Sequence, residues 1–184
     1  MVVGPDLARR PRPEEHDEID ALLRAAFGRA EEAELVRRLR ADGDMWWEAV
    51  KPWAGVIGAY AALSRMREPE GWACLAPLAV LPRFQDGASG PWSEASSGAW
   101  RLGSRLASEV ADLTTLSGSF EDRRRMPAAI VVLGSVPFYE RAGFSAARAA
   151  NLRSPHPIGS TLLAAPGDDA PEATLVYPST FDAP

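Results

Sequence analysis

The sequence predicts an α/β (α+β) fold, a central sheet covered by helices, and three observations carry that expectation. Two nearly all-apolar runs, Trp72 to Leu81 (WACLAPLAVL) and Ala128 to Leu133 (AAIVVL), have the length and composition of strands buried on both faces. Two stretches near the N-terminus repeat apolar residues at helical spacing. Between these features, Met45 to Ser64 alternates like a β-hairpin. At 184 residues the chain suits one domain, 1–184, built on a single sizeable core.

Taken in order, Ala8 to Pro13 reads as a first edge strand. Glu14 to Arg24 follows as a helix with Ile19, Leu22 and Leu23 on one face, continued by Ala26 and Phe27 and broken at Gly28. Its acidic opening, Glu14, Glu15 and Asp17, suits a helix N-terminus. A second helix, Ala30 to Ala41, gathers Leu35, Val36 and Leu39 and ends at Asp42-Gly43. Met45 to Val50 and Ala54 to Ser64 form the hairpin, with Lys51, Pro52 and Trp53 at its turn. Trp46 and Trp47 are adjacent, so in a regular strand only one of them enters the core. The polar turn Arg65 to Gly71 leads into the apolar strand that ends at Pro82.

Composition narrows the function classes. A formal charge of −5 and a pI near 5.1 argue against a general nucleic-acid binder, and the arginine run 123–125 reads as a solvated loop. No apolar run reaches the length of a bilayer span, and the N-terminus lacks the continuous hydrophobic segment of a secretory signal, so a cytoplasmic protein is expected. Cys74 is the sole cysteine and reads as a packing residue of an apolar strand; the histidines, His16 and His156, have no partners at metal spacing.

The stretch that organises the chain is Met126 to Phe144 (MPAAIVVLGSVPFYERAGF). A buried strand feeds a short helix, Val136 to Ala142, which Gly143 stops, and such a junction leaves a ligand crevice at the strand's carboxyl end. The run VLGSVPFYERAGF resembles the last conserved segment of the GNAT superfamily of N-acetyltransferases. Spacing alone favours a Tyr139 packed on the sheet with its hydroxyl in water. The resemblance implies instead that Tyr139 is the acid that protonates the departing thiolate of coenzyme A. It also implies a mostly antiparallel sheet in which the strands around Pro77 to Pro82 and Ala128 to Leu133 are parallel, central and splayed to form a cofactor slot. Acetyl-CoA would then be the co-substrate, bound through the main chain of Leu78, Ala79 and Val80 and against Phe138.

The family's phosphate loop should come next after the first of these strands, because free N–H groups at a helix start cradle a pyrophosphate. Gln85 to Gly90 (QDGASG) nearly matches the pattern, with Gln85, Gly87, Ala88, Ser89 and Gly90 as contacts. Ala88 stands where glycine is usual, and Asp86 adds a negative charge. The next segment, Pro91 to Gly98, has a loop's composition and reads as part of an insertion of roughly a dozen residues; the family pattern resumes at Leu102, Gly103 and Ser104. Three alternatives remain: Gln85 to Gly90 binds the phosphates; Ala99 to Ser104 does so, with Arg101, Gly103 and Ser104; or neither binds. From Leu102 an amphipathic helix runs through Asp112. Beyond Phe144, Ser145 to Leu152 and Ser160 to Ala165 read as strands, and Ala173 to Phe181 closes the chain. The resemblance runs from about Arg10 to Phe181.

The expected reaction is acetyl transfer to an amine of a small-molecule acceptor by direct attack in a ternary complex; a homodimer is compatible with it. Glu48, Glu68 and Glu70 are the candidate general bases, and the tryptophans (Trp46, Trp47, Trp53, Trp72, Trp92, Trp100) candidates for an aromatic acceptor pocket. The contending function is a GNAT-shaped binding protein, or a repurposed GNAT enzyme, without CoA-dependent acetyltransferase activity.

Overall fold

The computed structural model describes residues 8–53, 55–85, 101–115 and 126–182. Helix α1 spans His16–Phe27 after a single 3-10 turn at Pro13–Glu15, and α2 spans Glu31–Ala41. Both follow from the spacing of Ile19, Leu22 and Leu23 and of Ala33, Val36 and Leu39, all fully or nearly fully buried. Gly28 ends α1 at φ +70, a backbone conformation that favours glycine. The expected edge strand at Ala8 to Pro13 is reduced to one antiparallel bridge, Arg9 with Val50. Pro11 and Pro13 lack the N–H groups that a longer ladder needs.

Among the described residues five strands form the main sheet in the order β1-β2-β3-β4-β6: β1 (Met45–Trp53), β2 (Val56–Arg65), β3 (Trp72–Val80), β4 (Ala129–Leu133) and β6 (Thr161–Ala164). Every neighbour pair is antiparallel except β3 with β4, the parallel pair near the sheet's centre. Helix α3 (Leu102–Asp112) and the short α4 (Val136–Arg141) cover one face. Helices α1 and α2 cover part of the other, above Tyr60, Ala62 and Ala79. The rest of that second face carries α5 (Ala146–Ala149), the two-residue strands β5 (Leu152–Arg153) and β7 (Ala173–Thr174), and the segment through Phe181.

Several local expectations are corrected. Lys51, Pro52 and Trp53 do not form the hairpin turn; they continue β1, pairing with Ala59, Ile57 and Val56, and the turn falls after Trp53. Lys51, only 2% exposed, ion-pairs at 2.5 Å with Glu109 of α3. Trp46 and Trp47 both pack against the α3-side core, because β1 carries one extra residue between the pairs Met45 with Ser64 and Trp47 with Leu63. A bulge breaks the simple alternation. Ser145 to Leu152 is not a strand: the Ser145 side chain accepts from the Arg148 N–H and starts α5, as a serine N-cap does. The arginine run 123–125 lies outside the described residues.

Candidate functional site

The site begins where β3 leaves β4. The two strands pair over only four positions, Trp72–Leu75 against Ala129–Val132. Beyond Leu75 they part, while β4 stays paired with β6 as far as Leu133 with Thr161. Two features of the sequence cause the parting. Pro77 has no N–H to give to a neighbouring strand. On its other side, β3 holds one more residue than β2 between the pairs Leu75 with Leu63 and Leu78 with Ala61, a bulge that bends β3 away. Leu78, Ala79 and Val80 therefore pair with β2 on one edge and face the gap with the other.

At the open end lies a cleft of about 240 Å³, lined by Val80 and Phe84, by Gln85, by Gly103 and Ser104 of α3, and by Phe138 and Arg141 of α4. Gly103 lets α3 approach closely: a Cβ on it would stand 3.0 Å from the Val80 side chain, which would have to give way, and 3.6 Å from the Phe138 ring. Gly103 and Ser104 belong to the first turn of α3, where backbone N–H groups have no partner within the helix. Gln85 spends its side-chain amide on the Val80 carbonyl at 2.8 Å, and the Ser104 hydroxyl donates to the Arg101 carbonyl at 3.2 Å. Arg101 is exposed at the N-cap of α3. Gly87, Ala88, Ser89 and Gly90, with the insertion, Trp92 and Trp100, lie outside the described residues.

Tyr139 lies on α4, immediately beyond the carboxyl end of β4. Its ring is packed edge-on against Phe138 and Phe144, with centroids at 4.9 and 5.6 Å. A Cβ on Gly134 would stand 2.7 Å from the ring, so the glycine that ends β4 is what lets the tyrosine lie there. Burial first, and then the neighbouring Cys74, push the Tyr139 hydroxyl up to about 12. The phenol is held neutral across the whole physiological range. Cys74 is itself buried, and its thiol is pushed up to about 12 by burial alone, which keeps it a packing residue rather than a nucleophile.

None of the three acidic candidates presents a free carboxylate to Tyr139. Glu48 accepts from Arg40 Nη2 at 2.6 Å, from Arg40 Nε, and from the Tyr60 hydroxyl at 2.8 Å beneath α2. Glu68 and Glu70 stand in the turn before β3, at the end of the strand away from the parting, with Trp72 to Leu75 between, about 10 Å of strand at about 3.3 Å per residue. The described tryptophans, Trp46, Trp47, Trp53 and Trp72, pack against core clusters. Arg141 is a site residue that the sequence does not announce: nothing local distinguishes it from a solvated arginine, and only the approach of α3 to α4 puts it in a cleft. A second cleft, about 660 Å³, lies between α1 and α2 and is bridged by the Arg37–Asp20 ion pair. Among the described residues no group of His, Cys, Asp and Glu could hold a metal ion, and no helix is long and apolar enough to cross a membrane.

These buried groups give the fold a pH signature. The hydroxyls of Tyr139 and Tyr177 are pushed up to about 12 and that of Tyr60 higher than usual, in each case chiefly by burial, and the Cys74 thiol joins them. The unfolded chain loses these protons from about pH 9 to 10, whereas the folded chain keeps those of Cys74, Tyr139 and Tyr177 to about 12 and holds that of Tyr60 well above its ordinary range. Their contribution to stability is complete below about pH 9 and falls as the pH climbs toward 12. Urea midpoints measured from pH 7 to 11 are expected to drop steeply only above pH 9; a flat profile would mean these groups are solvated.

No protein-family model matches the chain, and no curated protein matches it. Solved structures do. The GNAT family N-acetyltransferase YhbS from Escherichia coli, solved in complex with CoA, is 29% identical, with a TM-score of 0.73 over 96% of this chain and 92% of that one. A GNAT family acetyltransferase from Brucella melitensis, in complex with acetyl-CoA, is 26% identical, with a TM-score of 0.66 over 96% of this chain and 97% of its own. The ribosomal-protein-S18-alanine N-acetyltransferase from Escherichia coli, at 15% identity and a TM-score of 0.54, shares the fold. The chain is a structural relative of the GNAT family N-acetyltransferases and has their fold.

Proposed function

We propose that this chain is an acyl-CoA-dependent N-acyltransferase that moves the acetyl group of acetyl-CoA to an amine of a small molecule by direct attack in a ternary complex. The observation that carries it is the parting of β3 from β4 after Leu75, beside a cleft that joins an apolar wall, a helix start and a cation. Those residues fit coenzyme A: main chain of Leu78, Ala79 and Val80 that is unpaired with β4, the Val80 carbonyl alone being taken by Gln85, for the pantetheine amides, N–H groups of α3 and the Arg141 guanidinium for phosphates, and Phe138 for apolar contact. The E. coli and Brucella structures, which hold CoA and acetyl-CoA in the same fold, support it. Residues 1–184 act as one domain in this reading, in a cytoplasmic setting, with a homodimer compatible.

Acetyl-CoA supplies an acyl group already activated as a thioester. The backbone near Val80 polarises its carbonyl, and the parted strands hold it where an amine can reach it. Tyr139 donates a hydrogen bond to the sulfur as charge develops there. A phenol near 12 is a weaker acid than a thiol near 8.5, so complete transfer of its proton to sulfur is uphill by roughly 5 kcal/mol on its own. Tyr139 therefore works only as the attacking nitrogen gives up a proton in return, which keeps the number of protons in balance.

Calorimetric titration with acetyl-CoA tests the proposal, with Gly103→Leu as the blocked control. Wild type is expected to bind in the micromolar range. The variant, whose leucine crowds Val80 and Phe138, is expected to lose at least 100-fold in affinity, with circular dichroism and a thermal melt establishing that it is folded. No heat with wild type at millimolar acetyl-CoA would turn the function toward a GNAT-shaped binding protein.

A further inference from the structure

Helices α1 and α2 are joined by residues 28–30 alone and pack side by side, so they run antiparallel. Asp17 and Asp20 stand one turn apart on α1, Arg37 and Arg40 one turn apart on α2, and all four line the cleft between the helices. The contact of Asp20 with Arg37 sets the register, and in an antiparallel pair it puts Asp17 across from Arg40. Two cross-helix ion pairs are therefore expected, and one is made. Asp20 meets Arg37 at 2.5 Å, but Arg40 is turned to Glu48 of β1 at 2.6 Å. Asp17 forms no ion pair among the described residues. Below these charges, the buried Ile19, Leu23 and Val36 give the cleft an aliphatic floor.

At about 660 Å³ the cleft has the volume of a small-molecule site, commonly about 300 to 1,000 Å³. Its chemistry selects the occupant. One wall offers carboxylates and the other guanidiniums, so a lone anion is repelled by Asp17 and Asp20 and a lone cation by Arg37 and Arg40. An uncharged apolar molecule would leave the charges of both walls dry. A molecule that carries an ammonium and a carboxylate on one carbon, with an apolar side chain, meets both walls and the floor. The Arg37–Asp20 pair does not bar its way, since Arg37 is 54% exposed and such pairs contribute little.

We propose that the α1–α2 cleft binds a free amino acid with an apolar side chain, its ammonium on Asp17 and Asp20, its carboxylate on Arg37 and its side chain over Ile19, Leu23 and Val36. The ligand supplies from outside the cross-helix pairing that the bond of Arg40 to Glu48 leaves unmade. None of the described lining residues belongs to β3, β4, α3 or α4, so the site is separate from the cleft of Gly103 and Arg141 and stands or falls without the acyl-CoA reading.

Calorimetry with leucine tests this, against three molecules that each lack one feature: isopentylamine has no carboxylate, 4-methylpentanoate no ammonium, glycine no side chain. Leucine is expected to bind at about 0.1 mM, a reasonable affinity for so small a ligand, and each of the three at least about 10-fold more weakly. With leucine, hydrogen exchange is expected to slow in the peptides covering 16–27 and 31–41 and to stay unchanged in 136–143. Arg37→Gln and Asp17→Asn are each expected to weaken leucine binding about 10-fold; both positions are exposed, so thermal melts within about 2 °C of wild type should show the fold intact. Absence of heat with leucine at about 20 mM, equal affinity for leucine and any of the three analogues, or undiminished leucine binding in both variants would each overturn the proposal. Protection confined to 136–143 would overturn it as well, by placing the leucine in the other cleft.

Discussion

Replacing Tyr139 by phenylalanine is expected to lower kcat by about 100-fold while leaving the affinity for CoA within about twofold of wild type. The magnitude is that of a single positioned acid removed from a transition state. The ring should stay where it is, because its contacts with Gly134, Phe138 and Phe144 are made by carbon atoms that phenylalanine retains. Stability should be kept too, since a buried hydroxyl is traded for a group that costs nothing to desolvate. Since burial pushes the phenol up to about 12, any alkaline loss of kcat in wild type below pH 11 must come from another group, and the variant should show the same limb. Steady-state kinetics beside a CoA titration decide the matter. Unchanged turnover would remove Tyr139 from the chemistry, and a matching loss of CoA affinity would make it a binding residue.

Glu109→Ala is expected to be the most damaging single change to stability outside the apolar core. Lys51 is 2% exposed and its ammonium meets Glu109 at 2.5 Å, whereas the Glu109 side chain keeps 35% of its surface in contact with solvent. Removing the glutamate strands a buried charge; removing the lysine leaves a carboxylate that water can reach. The first should cost about 3 kcal/mol, a fall of about 10 °C in Tm for a chain of this size. Lys51→Met should cost far less, and Lys51→Met with Glu109→Ala should recover most of the loss, because no charge is then left in the interior. Thermal melts of the three variants check this. A double variant no more stable than Glu109→Ala would show that the pair's value lies in packing rather than in charge compensation.

Because the pair ties β1 to α3, it also bears on the cleft. Glu109 sits on the helix whose first turn carries Gly103, and its other oxygen accepts from the Ala8 N–H at 3.3 Å. Nothing in the residues around Lys51 announces this. Lys-Pro-Trp between two alternating runs has the composition of a turn, and only a partner 58 positions away explains why a lysine is buried in a strand. The extra residue in β1 at Trp46 is hidden for the same reason: a bulge is defined by the strand opposite, so one strand read alone shows only an alternation that its partner breaks.

Short-range chemistry could be read from the residues in line. The apolar runs that became β3 and β4, the helical spacing of Ile19, Leu22, Leu23, Ala33, Val36 and Leu39, the resumption of helix at Leu102, and the glycine stops at Gly28 and Gly143 were all legible, because period, capping and backbone freedom act within a few residues. The pattern VLGSVPFYERAGF also carried the family resemblance. Three features of the site awaited the folded chain: Pro77 and the bulge beside it part β3 from β4 after Leu75, Glu48 is occupied by Arg40 and Tyr60, and Arg141 lines a cleft beside Gly103. Each of these depends on register between strands or on two helices meeting across the sheet, and such pairings are fixed only when distant parts of the chain close on one another.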